Sequence, residues 1–168
     1  MIWSSSHHSR SIPEAFKMFE PYDNIYELAC PFLNIRDNDI HTRVAYSFAR
    51  RLLREEGGDE AVVLPAIILH DVGWKSIPEE LHLKAFGPGQ NDTVLNRVHE
   101  VEGAKLARQL LGKLRYDENL IEDIVAIIEA HDSRRDPHSL NDAIVKDSDK
   151  LWRLSKEALE IDPKRFNI

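Results

Sequence analysis

Cysteine is almost missing from this chain: Cys30 is the single one among 168 residues. A lone thiol cannot close an intramolecular disulfide, which favours a reducing compartment and makes Cys30 a buried apolar filler. No stretch approaches the ~20 apolar residues of a membrane span. The start, Met1-Ile2-Trp3-Ser4-Ser5-Ser6-His7-His8, lacks the apolar run of a secretory leader. Positive charge is also in deficit, since 22 Lys and Arg against 29 Asp and Glu leave a formal net charge of −7. That balance disfavours a nucleic acid polymer as partner, because backbone binding rests on clustered cations that neutralise phosphates. Strand alternation, hairpin signals, internal repeats and low-complexity tracts are absent as well. The expectation is a cytoplasmic, membrane-free protein of one domain, long enough to bury a real core.

What is present reads as helices. Residues 1–12 are a polar, serine-rich tail, and 13–168 form the single helical domain. Ala15, Phe16, Met18 and Phe19 suggest a short helix ended by Pro21, and Ile25 to Cys30 another closed by Pro31. Asp37, Asn38 and Asp39 open a helix with His41, Val44, Ala45, Phe48 and Leu52 inward, stopped at Gly57-Gly58. Asp59 caps the next, whose run from Ala61 to Leu69 is almost wholly apolar and therefore buried on most sides, in spite of Pro65. Trp74 to Leu81 is a turn into a short helix, and Gly87 to Asp92 a loop. A long helix follows with an apolar face from Val94 to Leu111. Asp117 opens a helix with Leu120, Ile121, Ile124, Val125, Ile127 and Ile128 facing in. Ser133 to His138 is a loop, and one last long helix runs from Leu140 past Leu154. The fold class is all-α.

Four histidines on four of these helices, His41, His70, His99 and His131, lie on or beside apolar faces, and the acids Asp71 and Asp149 join them. One inward histidine alone is usually a hydrogen-bonded core residue. Several imidazoles and two carboxylates aimed into one bundle are costly to bury unpaired, whereas a metal cation satisfies them together. Gly103, one turn beyond His99, has two readings: room beside the imidazole, or close helix packing. Helical phase puts Asp147, rather than Asp149, on the stripe of Leu140, Ile144, Leu151 and Leu154.

The ordered set His41, His70-Asp71, His99, His131 and Asp149 resembles the HD-domain superfamily of metal-dependent phosphohydrolases, over about residues 37–155. The local contexts agree: Leu-His-Asp-Val-Gly at 69–73, His-Glu-Val-Glu-Gly-Ala at 99–104, Ile-Ile-Glu-Ala-His-Asp at 127–132 and Asp-Ser-Asp-Lys-Leu at 147–151. The resemblance implies an HD-type helical bundle in which His41, His70, Asp71 and Asp149 hold one metal. His99 and His131 match members with a second, and Asp71 bridges the two. It assigns Asp149 as the last ligand through the Lys150-Leu151 that follows, and leaves Asp147 as an outer partner. Such a dinuclear centre, with metals ~3.5–4 Å apart, uses a bridging hydroxide as nucleophile. The cofactors implied are two divalent or mixed-valence transition-metal ions, iron first, then manganese, with zinc, nickel and magnesium as alternatives.

The function implied is hydrolysis of a phosphoester or phosphoanhydride in a nucleotide or another small phosphorylated metabolite. Candidate substrate-binding residues are Lys75, Arg134, Arg135 and Lys150, because guanidinium and ammonium groups bind phosphate. Trp74 stands between the motif glycine and Lys75, where many members of the superfamily have lysine directly after that glycine. Glu100, Glu102 and Asp132 neighbour supposed ligands and are candidates for orienting them, or else ordinary helix-surface residues. Two competing readings remain. One is a di-iron oxygenase of the same superfamily, for which Tyr22, Tyr26 and Glu27 would fold over the centre. The other is a ligand-binding module without catalysis. No Gly-Tyr-Pro follows the central motif, unlike the cyclic-dinucleotide branch.

Overall fold

The computed structural model describes residues 17–86 and 92–161. The described residues form eight α-helices and no strand: α1 (Asp23–Leu33), α2 (Asn38–Glu56), α3 (Glu60–Leu69), α4 (Glu79–Phe86), α5 (Thr93–Lys113), α6 (Glu118–Ile128), α7 (Leu140–Leu151) and α8 (Lys156–Ile161). Three short 3-10 turns join them, at Lys17–Phe19, Val72–Ser76 and Trp152–Leu154. The expected tail over 1–12 and most of the loop over 87–92 lie outside the described residues.

The central element is α3, as its unbroken apolar run requires: every residue from Val62 to Leu69 is buried. A helix with no polar face is stable in water only when surrounded, and α1, α2, α6 and α7 all pack on it. The Asp59 carboxylate caps it by accepting from the Ala61 amide at 2.9 Å. Pro65 has no N–H to give the Ala61 carbonyl one turn earlier, and the Tyr116 hydroxyl supplies the missing donor at 2.7 Å. The proline therefore does not break the helix.

Where α3 ends, the chain turns through Val72–Ser76 directly against α5. A Cβ on Gly73 would meet the His99 carbonyl oxygen at 1.9 Å and the Gly103 Cα at 2.8 Å. On Gly103 it would meet the Gly73 nitrogen at 3.4 Å. Gly73 and Gly103 are therefore packed together, but the close approach demands glycine at 73, whereas a Cβ at 103 would make only ordinary contact.

Four expectations are corrected. Pro31 does not close α1, which runs through it to Leu33; Pro31 and Glu27, whose carbonyl loses its donor, are exposed to water, while Ile25, Tyr26, Ala29 and Leu33 anchor the other face. The inward stripe of α2 is Asn38, His41, Thr42, Ala45, Tyr46 and Ala49, with Val44, Phe48 and Leu52 only half-buried at its edge. On α5 the stripe is His99, Glu100, Gly103, Ala104, Ala107, Leu110 and Leu111, and Val94 is 70% exposed. The last helix is broken rather than continuous, because Ser155 is extended and its hydroxyl caps the Ala158 amide at 3.1 Å.

Candidate metal centre

Helix ends supply most of the site, and His99 comes from within α5. His70 caps the C-terminus of α3, and Asp71 opens the following 3-10 turn. His41 comes from the first turns of α2 and Asp149 from the last turn of α7, two helices packed on one another. The Nε2 atoms of His41 and His70 face each other at 2.9 Å. Around them, Asp149 Oδ1 lies 3.1 Å from His41 and 3.5 Å from His70. Asp71 Oδ2 lies 3.6 and 3.7 Å from the same two rings. Asp147 is exposed on the outer side of α7.

On the other side of Asp71 stands a second pair. His99 and His131 bring their Nε2 atoms to 3.3 Å, and Asp71 Oδ1 is 3.9 Å from His131. One Asp71 carboxylate is thus common to two groups, His41, His70 and Asp71, and Asp71, His99 and His131, all buried. His131 lies just past the end of α6 rather than on its face. Its Nδ1–H donates to the Ile128 carbonyl at 2.8 Å, and that of His70 donates in the same way to the Ile67 carbonyl at 2.8 Å. A carbonyl only accepts, so Nδ1 carries the proton in both rings and Nε2 is the atom aimed at the shared carboxylate.

Charge is strongly coupled here. Burial disfavours a protonated His70, but Asp71 and Asp149 outweigh it and raise its pKa to about 9. Burial, reinforced by neighbouring His131, instead lowers that of His99 to about 3. Burial also opposes the ionised carboxylates, yet His41 and His70 hold both Asp71 and Asp149 below the usual carboxylate range. The residues fit a metal: imidazole nitrogens and carboxylate oxygens, the donor types that transition metals take, converge in two buried groups that share Asp71.

A family model described as HD domain matches residues 38–154. The chain belongs to the HD-domain family. Comparison with curated proteins and with solved structures gives no match. HD domains are all-α and form a superfamily composed mostly of metal-dependent phosphohydrolases that bind divalent metals. Among the described residues, no helix is long and apolar enough to cross a membrane.

Beside the HD motif opens a cavity of about 680 Å³, lined by His41, Asp71, His131 and Asp149 together with Arg36, Asn38, Trp74, His82, Trp152 and Arg153. The four cations singled out in the sequence do not line it. Lys75 is exposed and donates to Asn34 Oδ1 at 3.0 Å. Arg134 donates to Asp142 Oδ2 at 2.9 Å. Arg135 is exposed on the loop after His131, and Lys150 lies with Asp147 and Leu52 in a shallow groove outside the bundle. Tyr26 is in the core, stacked on Phe19 at 3.9 Å, and not over the centre.

Trp74, the residue inserted after the HD-motif glycine, is part of the site. Its indole N–H donates to Asp71 Oδ1 at 3.1 Å, and its ring lies parallel to that of His99 with centroids 4.2 Å apart. Two buried charges hold the turn that carries His131. Glu100 is fully buried, and its Oε1 accepts from the Asp132 and Ser133 amides at 2.9 and 2.8 Å. Lys146, 4% exposed, donates to the carbonyls of Ala130, His131 and Arg134 at 3.1, 2.6 and 2.7 Å. Lys146 follows Ile144-Val145 but opens the polar stretch Lys146-Asp147-Ser148-Asp149, so nothing in the sequence marks it as buried. Glu100 is marked by its place beside His99, and of the two readings open to it, orienting residue or helix-surface residue, its full burial excludes the second.

Proposed function

We propose that this protein is a metal-dependent phosphohydrolase acting on a nucleotide or another small phosphorylated metabolite, with two metal ions held on either side of Asp71. The observation that supports it is the sharing of one carboxylate by two buried histidine pairs. In this reading His41, His70, Asp71 and Asp149 hold one ion, and Asp71, His99 and His131 the other. Iron is the first candidate and manganese the second, on the imidazole and carboxylate donors. Metals bound there would supply an activated water at neutral pH and polarise the phosphoryl oxygen.

The chain's own part is positioning. The bonds from Nδ1 to Ile67 and Ile128 aim the Nε2 atoms of His70 and His131 inward, as outer partners of metal-binding histidines do. The Trp74 indole fixes one oxygen of Asp71. The cavity is of the size that takes a small-molecule substrate, ~300–1,000 Å³. The test is metal analysis of anaerobically purified protein, followed by a panel of phosphorylated substrates assayed with and without oxygen. Phosphate release without oxygen uptake is expected. Oxygen uptake coupled to turnover would replace the proposal with an oxygenase. Asp71→Ala should lose most of the metal, and full occupancy in that variant would refute the shared carboxylate.

A further inference from the structure

We propose that Arg36, stacked on Trp74, is the residue that grips the phosphate of the substrate in this cavity. The inference rests on the phosphohydrolase reading and gives that substrate's anionic group a place to bind. A phosphorylated substrate needs a cation in the cavity wall, and the four basic residues next to the motifs line other surfaces. Among the described lining residues, which also include the carboxylates Glu79 and Asp132, Arg36 and Arg153 are the two that carry a permanent positive charge.

Arg36 is the better fixed of the two. Its guanidinium carbon stands 4.0 Å from the centroid of the Trp74 ring. His99 is stacked on the same indole at 4.2 Å with planes 14° apart. Two groups that near one ring centre must occupy opposite faces, so the order is Arg36, Trp74, His99. The same indole holds Asp71 by its N–H. One side chain therefore sets the arginine in register with the shared carboxylate Asp71 and with His99. Stacking uses the face of a guanidinium and hydrogen bonding its plane, so cation–π contact and a bidentate grip on phosphate do not compete. With both faces covered, Trp74 is not a platform for a nucleobase.

The backbone points the same way. Arg36 and Asp37, at φ 55° and 56°, are successive non-glycine residues in the left-handed region. Each costs roughly 1–2 kcal/mol, strain that tends to persist at functional sites. The strained pair lies in the short link between α1 and α2, where Arg36 lines the cavity a few residues before His41.

The test uses Arg36→Lys and Arg36→Met, the latter keeping an unbranched stem over Trp74 without the charge. Metal content and circular dichroism are measured first, then the Kd of inorganic phosphate by calorimetry on the metal-loaded protein, then kcat and KM on the best substrate of the panel. Arg36→Met should weaken phosphate binding and raise KM by about 10- to 100-fold, the worth of a charged bidentate contact. kcat should change less than KM, and metal content should be unaltered. Arg36→Lys should recover part of the loss. An unchanged phosphate Kd and KM in a folded, metal-loaded Arg36→Met protein overturns the assignment and leaves the hydrolase reading standing. Loss of metal in that variant also overturns it, by showing that Arg36 acts only through Trp74. Wild-type protein that takes up metal but neither binds phosphate nor hydrolyses any substrate overturns both.

Discussion

Replacing Gly73 by alanine adds one methyl group at the tightest point of the fold. The new Cβ would lie 1.9 Å from the His99 carbonyl oxygen and 2.5 Å from the Gly103 amide nitrogen. Ordinary contact begins near 3.4 Å, so the turn and α5 would have to part by about 1.5 Å. Both obstacles are backbone, and no rotamer change relieves them. Overpacking against side chains that can adjust costs about 1–3 kcal/mol, so at least ~3 kcal/mol is expected here. For a domain of this size that lowers Tm by roughly 6–12 °C. The reciprocal change, Gly103→Ala, places its Cβ 3.4–3.5 Å from Gly73 and the His70 carbonyl, and should cost less than about 1 kcal/mol. Urea unfolding of the two metal-free variants, followed by far-ultraviolet circular dichroism, measures the difference. Because His99 and Trp74 flank the contact, Gly73→Ala should also bind metal more weakly at fixed protein concentration. Equal midpoints for the two variants would refute the close-approach account of the motif glycine.

Three further outcomes are expected. Glu100→Ala removes a buried carboxylate from two backbone amides and from Arg97; it should cost about 3 kcal/mol in urea unfolding and weaken metal binding, while an unshifted midpoint would contradict its role in holding the 131–133 turn. Arg115 occupies the left-handed position after α5, at φ 54°, with the Arg115 and Tyr116 amides returning to Gly112 and Leu111; Arg115→Gly should therefore stabilise by about 0.5–1 kcal/mol, and a loss of stability would refute the strain argument. Metal uptake at neutral pH should release protons, because His70, held protonated up to about 9 by Asp71 and Asp149, must give up its proton to ligate. By linkage, the stability that a protonated His70 lends the metal-free protein is full below the ordinary histidine value of 6.5 and is lost as pH rises through about 9. Calorimetric metal titrations giving the same heat in buffers of different ionisation enthalpy would exclude that release.

The sequence by itself was enough for the all-α class, the buried α3, the caps at Asp59 and Asp117, and the convergence of four histidines with Asp71. The first three follow from periodicity or from residue chemistry within a few positions, which a helix translates directly into a face, while the meeting of the histidines at one centre is what the resemblance to the HD-domain superfamily implied. The choice between Asp147 and Asp149 was not of that kind. They differ by two residues, and what decides between them is where the end of α7 meets α2, so that Asp149 reaches His41 while Asp147 faces out. The same holds for the cavity wall. Lys75 and Arg134 are next to the motifs in the chain but bond to Asn34 and Asp142, whereas Arg36, 35 positions before Asp71, lines the cavity beside it. Trp74 looked like an interruption of the motif, and its two stacked neighbours come from the α1–α2 link and from α5. Local spacing determines which way a side chain points on its own helix, but what it meets there depends on how separate helices cross, and packing across the whole core settles that.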